Sequence, residues 1–458
     1  MSSRTVVPSR FPVRARYLLF IGATVLALAP YAWAISGFGN SAVGGVSINA
    51  VGVVGLPTAE AKSLYLRELR KVIKTPTGKL ATPAKLRMVS MRGLVQAIDD
   101  AIKNNFGQLP DEVKYLGGLQ RIQYLFVYPE KGDIVLAGPG EGWEIDANGN
   151  VVGQTTGHPV LHLDDFLVAL RSVGEAEFGE ISCSIDPTKE GWDRLAAVLK
   201  RQRGNRVDPP VLKAAAREAF GNQVVSIKGV PATSRFARMM LAADFHMKLL
   251  AMEIEGRPVD FPSYIDMIKN PREATNASPR WWLACNYQPM ATSEDRLAWE
   301  LRGPGVKAMT EDEIRAEDGT VRQTGRTSPA AQKWAALMTE RYGDLCGKVA
   351  AFGEMRNLMD MSVIAALLKK EGLWEKADIV NASLLHDPGS DLKVDVWNAP
   401  KAVPAQVSIA RVKRSLIVTA SGGVQVDSWQ VASSVEVAPE VGDVRKRATP
   451  NGDSLWWQ

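Results

Sequence analysis

Two runs rich in β-branched and aromatic residues, Ile122 to Tyr128 and Asp133 to Ala137, meet across Pro129-Glu130-Lys131-Gly132, the grammar of a β-hairpin. Directly downstream, Trp143 to Val152 reads as a second hairpin turning at Asn148-Gly149. Hairpins outnumber clean strand-helix-strand units along the chain. The expectation is therefore an α+β fold with mixed, mainly antiparallel sheets and flanking and central helices. Further strands are expected at Ser41 to Val54, Ile181 to Ile185, Val224 to Val230, Trp281 to Tyr287, Arg296 to Leu301 and Val306 to Met309.

Between these strands the apolar spacing changes to that of helices, and cap residues mark where each begins. Thr58 precedes Leu64, Leu66, Leu69 and Val72; Ser90 precedes Leu94, Val95 and Ile98; Pro110-Asp111-Glu112 opens a third helix. Asp164 and Asp165 are expected to cap a helix from Phe166 to Val173, and Asp186-Pro187-Thr188 to start another. After Ser234, a stripe of Phe236, Met239, Met240, Ala243, Met247 and Leu250 predicts a helix packed in the core. Ser328-Pro329 begins a helix through Trp334, and the stretch Phe352 to Lys370 is apolar around much of its circumference, which predicts a central buried helix.

Ahead of this body stands a targeting pattern. Arg4, Arg10, Arg14 and Arg16 form a positive region, Tyr17 to Ala29 an apolar one, and Ala32-Trp33-Ala34 supplies the small residues of a cleavage site before Ile35. The same segment has a second reading as an uncleaved anchor, since the apolar stretch continues to Phe38, although Pro30 interrupts it. The expected organisation is a signal peptide at 1–34, a helical and strand segment at 35–118, α/β regions at 119–260 and 261–430, and a loose tail at 431–458. The destination is periplasmic or extracellular, with no integral membrane span once the signal is removed.

Cleavage takes away four arginines and no acidic residue, so the formal charge drops from +5 to +1. A nearly neutral mature chain has no electrostatic footprint for nucleic acid or an anionic membrane. The basic runs at Lys200 to Arg203 and Arg445 to Arg447 read as solvated loops. Three cysteines, Cys183, Cys285 and Cys346, sit in apolar contexts; one disulfide and one leftover thiol, or three buried small hydrophobes, are both compatible with the pattern.

Candidate chemistry is sparse. Gly138-Pro139-Gly140-Glu141-Gly142-Trp143 follows a strand but runs into a hairpin rather than a helix, which removes a phosphate cradle. His158 and His162 are separated by Pro159, and in a strand the pair would stand about 13 Å apart, too far to share an ion. His246 is isolated on its helix and reads as a satisfied or boundary histidine; Asp244 and Lys248 share a helix face and read as a surface ion pair. No nucleophile elbow or Ser-x-x-Lys motif occurs, and Asp99-Asp100 and Asp164-Asp165 diverge around their helices. No cofactor or metal is expected.

Much of this text resembles a family of exported proteins from planctomycete-type bacteria, known as domain of unknown function number 1598. The resemblance rests on Gln123 to Glu130, Gly132 to Pro139, Pro159 to Asp165, Phe236-Ala237-Arg238, Ala243-Asp244, Val306 to Glu311, Trp334-Ala335 and Met355 to Asp360, spread over most of residues 40 to 430. It implies an extracytoplasmic α/β body and carries over no activity, cofactor or active site; His246 departs from the pattern.

Two classes of function follow. One is a non-enzymatic envelope module that binds a protein or an envelope polymer, favoured by the tryptophans Trp281, Trp282, Trp299, Trp334, Trp456 and Trp457. The other is a hydrolase of an envelope polymer, which requires a deep cleft holding a carboxylate or histidine of shifted pKa.

Overall fold

A computed structural model describes residues 44–202, 207–269, 278–315, 321–323, 325–412, 414–450, 452 and 454–458. The targeting pattern, including Ala32, Ala34 and Ile35, lies outside them. The hairpin read from the sequence is present: Tyr124–Tyr128 pairs antiparallel with Asp133–Gly140, so the glycines of Gly138-Pro139-Gly140 finish a strand. Trp143–Ile145 and Val151–Gly153 form the second hairpin.

Two seven-stranded sheets organise the body. The first runs in the order Val321–Gln323, Gly305–Arg315, Ser278–Asn286, Ser421–Val426, Ile181–Asp186, Gln223–Lys228, Ala402–Val403. The second runs Val435–Val437, Met290–Thr292, Ala298–Glu300, Tyr124–Tyr128, Asp133–Gly140, Ala84–Ser90, Trp456–Trp457. Pairing is antiparallel except between Ser278–Asn286 and Ser421–Val426 and between Met290–Thr292 and Val435–Val437. This is the α+β arrangement with mainly antiparallel sheets.

Both sheets turn one face to a single core shared with the helices Leu163–Phe178, Arg235–Ala251 and Ala350–Lys370. Ser90, Thr58, Ser234 and Ser328 each cap their helices as read, their hydroxyls accepting from the backbone N–H three residues on. The Ala350–Lys370 helix is the central one and packs on the other two. Trp281, Trp299 and Trp334 are fully buried, with the Trp281 and Trp334 rings 5.1 Å apart, so three of the tryptophans counted toward an interface fill the core instead.

The tail expected to be loose is structured. Helix Pro439–Arg447 packs on Met290–Thr292 and Ala298–Glu300 at the outer face of the second sheet, where Val441 joins one apolar cluster with Phe126, Val135 and Ala298. Arg445 stacks its guanidinium 4.8 Å from the Tyr128 ring and donates to the Val127 carbonyl at 2.8 Å, while Tyr128 Oη donates to the Arg445 carbonyl at 2.7 Å. The polar composition suggested a free end, but the apolar residues Val441, Val444 and Trp457 have a second-sheet surface to cover.

Candidate functional site

The titratable groups of the core gather where three helices meet. Arg235 opens the Arg235–Ala251 helix and reaches Asp165 with Nη1 and Glu354 with Nη2, the latter at 2.6 Å. These side chains are at most 9% exposed. His162 is the N-cap of the Leu163–Phe178 helix, its Nε2 standing 3.7 Å from Glu354 Oε1 and its ring edge-on to Tyr115. The two aspartates expected to cap this helix therefore lie inside its first turn, because Leu163 is already helical and buried Arg235 draws Asp165 inward.

Burial raises the pKa of Asp165 and of Glu354, and the Arg235 charge opposes the shift in both. His162 is held well below its ordinary value, first by burial and then by Arg235. Asp164 is pushed up to about 6 by burial and by the nearby Asp395. A carboxylate whose folded pKa is raised contributes stability below its unfolded value that is lost as pH climbs through the folded one. The Asp164 contribution to the unfolding free energy is accordingly expected to fall between about pH 4 and pH 6, by up to about 1.4 kcal/mol per pH unit, while the buried neutral His162 contributes a trend of the opposite sign. Urea melts of wild type and Asp164→Asn across that range check it: the stability of wild type relative to the variant should decline from pH 4 to about pH 6.

Asp244 and Lys248 are not on the surface. Their side chains are 0% exposed and joined by a 2.7 Å hydrogen bond from Nζ to Oδ2. The spacing was read correctly, but every residue of Arg235–Ala251 is buried, so the polar side of this helix faces protein rather than water. His246 is satisfied, with Nδ1 2.9 Å from Glu255 Oε2 and Nε2 2.9 Å from the Gly44 carbonyl. All three cysteines are free; Cys183 and Cys346 are buried and Cys285 is half-buried, with burial pushing its thiol up to about 12. Among the described residues no group of three or more His, Cys, Asp or Glu side chains could hold a metal ion, and no helix is long and apolar enough to cross a membrane.

A concave site lies elsewhere, on the face of the first sheet turned away from the core. Strand alternation sends Trp281, Leu283 and Val424 into the core and leaves their neighbours on the other side. Register places Met309, Trp282, Gly423, Ser184 and Ser226 in one row across five strands, and Lys307, Ala284, Gln425, Ser182 and Lys228 in the next. At one end of these rows a cavity of about 410 Å³ is lined by Trp282, Met309, Tyr287, Lys307, Gln425 and Asp427, among others.

The Tyr287 wall is fixed from behind. Its hydroxyl donates to Asp360 Oδ1 at 2.6 Å, and Arg121 holds the same carboxylate through Nε at 3.0 Å and Nη2 at 3.3 Å. Asp360 is fully buried on the central helix. A shallower basin of about 800 Å³ is lined by Glu300, Arg302 and Glu440, whose ion pairs fasten the Pro439–Arg447 helix to the second sheet. Of the carboxyls with raised pKa, Asp164, Asp165, Glu354 and Asp244 lie on the packed helices and Asp133 on the second sheet, whereas the 410 Å³ cavity has Asp427 as its lining carboxylate.

Residues 183–264, from the second half of strand Ile181–Asp186 through the buried helix to Tyr264, match the family described as Protein of unknown function (DUF1598). This stretch is similar to the DUF1598 family. No curated protein and no solved structure matches the chain. The matched stretch contains Arg235, the buried Asp244 and Lys248 pair, and Ser184 and Ser226 of the open sheet face; Trp282, Lys307 and Asp427 lie after it. None of Arg121, Tyr287, Lys307 and Asp360 was singled out for chemistry from the sequence. Asp360 carries the clearest signal, as the one ionisable residue between Asn357 and Leu368 of a largely apolar helix.

Proposed function

We propose that the chain is an exported, non-enzymatic module of the cell envelope that binds a protein or an envelope polymer, and that the cavity beside Trp282 is its binding site. The observation that carries this reading is the cavity's composition: an aromatic wall, a tyrosine locked by Asp360 and Arg121, and amide and charged groups converging on one space. Aromatic and amide side chains on a rigid sheet hold a ligand at low entropic cost. Export is supported by the Arg-rich and apolar pattern ending at Ala32-Trp33-Ala34.

Co-sedimentation of the protein with insoluble envelope polymer, alongside cross-linking to envelope proteins, tests the reading. Capture by one of them is expected, and Trp282→Ala should weaken it about tenfold or more with the melting temperature little changed. Equal capture of wild type and variant would overturn the assignment of the site. Peptides beginning at Ile35 are the expected mature terminus.

A further inference from the structure

We infer that the cavity takes a zwitterionic ligand, an amino acid or short peptide presenting both an amine and a carboxylate. This rests on the binding reading above and names its ligand class. Lys307 and Asp427 both line the cavity. Among the described residues no carboxylate pairs with Lys307 and no cation pairs with Asp427; the Asp427 carboxylate accepts one 3.3 Å hydrogen bond, from Gln425 Nε2.

Their separation explains why they do not neutralise each other. Lys307 stands opposite Ala284, whose neighbour on the far side is Gln425, and Asp427 follows two residues later. Two strand spacings, about 10 Å, and a further ~7 Å along the strand therefore divide the two backbones. Opposite charges on either side of a partly desolvated space favour a ligand that brings the complementary pair. A simple anion would meet Asp427, and a simple cation Lys307. Trp282 and Met309, adjacent across the strands, offer apolar contact for a side chain, and Gln425 and Gln288 offer amides that match a peptide group.

Calorimetric titration of the full chain with alanyl-alanine, its N-acetyl form, its C-terminal amide and an uncharged N-acetylglucosamine oligomer tests this. The free dipeptide should bind, and each capped form should bind about tenfold or more weakly, as expected for loss of one charge-assisted contact. Lys307→Met should abolish the preference for acid over amide, and Asp427→Asn the preference for amine over acetamide, while far-ultraviolet circular dichroism stays unchanged. Equal binding of capped and free forms, or binding of the saccharide alone, would overturn the inference. If the dipeptide fails while Trp282-dependent polymer capture persists, the ligand class is wrong and the binding reading stands; if both fail, both fall.

Discussion

Replacing Arg235 with methionine is expected to lower stability by about 3–5 kcal/mol at neutral pH, the range for breaking a buried ion pair by removing one partner. Asp165 and Glu354 would be left facing each other at 0% and 1% exposure with their shared cation gone. Each carboxyl would then hold a proton more tightly still, since burial and a like charge both oppose ionisation. The deficit should therefore shrink as pH is lowered toward 5. Urea unfolding of wild type and variant at pH 7.5 and pH 5 measures both effects. A loss below about 1 kcal/mol would mean that water reaches the cluster. Combining Arg235→Met with Asp165→Leu and Glu354→Leu should recover much of the loss, because an apolar replacement removes the uncompensated charges together.

Gly423→Ala is the second large effect. A Cβ at this position would stand 1.8 Å from the Cys183 carbonyl oxygen, which is backbone and cannot swing aside. Ser421–Val426 is hydrogen-bonded on both sides, to Ser278–Asn286 and to Ile181–Asp186, so relief requires separating strands in the middle of the first sheet. A loss above about 4 kcal/mol is expected, in the tail of measured single substitutions, and failure to accumulate as folded protein is the natural readout. Gly343→Ala is the control: nothing lies within 4 Å of its added Cβ, and the change should stay within about 0.5 kcal/mol.

Local rules made some of the molecule readable. Ser90, Ser234 and Thr58 were recognisable as caps because a cap is decided by the residue and the few that follow it, and the Pro129 to Gly132 hairpin is equally local. Trp281 and Trp282 mark the limit. Alternation guarantees that adjacent residues face opposite sides, but which side meets the core depends on where the Arg235–Ala251 helix packs, and that is set by contacts far along the chain. Asp244 and Lys248 fail for the same reason: spacing fixes their mutual contact and says nothing of what surrounds it. The candidate site was illegible because Tyr287 and Asp427 follow the ends of two paired strands and Lys307 lies on a third beside them, with Arg121 and Asp360 reaching in from elsewhere.

The strand Ser421–Val426 occupies the middle of the first sheet, and Trp456–Trp457 pairs with Met88 and Val89 to edge the second. Each sheet thus waits for chain that is made well over a hundred residues after its neighbours, which places the closure of long loops late in folding. Synthesis alone cannot complete either sheet ahead of time. A chain with this topology stays open and threadable for longer than one built from local hairpins, and its unpaired strand edges need protection during that interval.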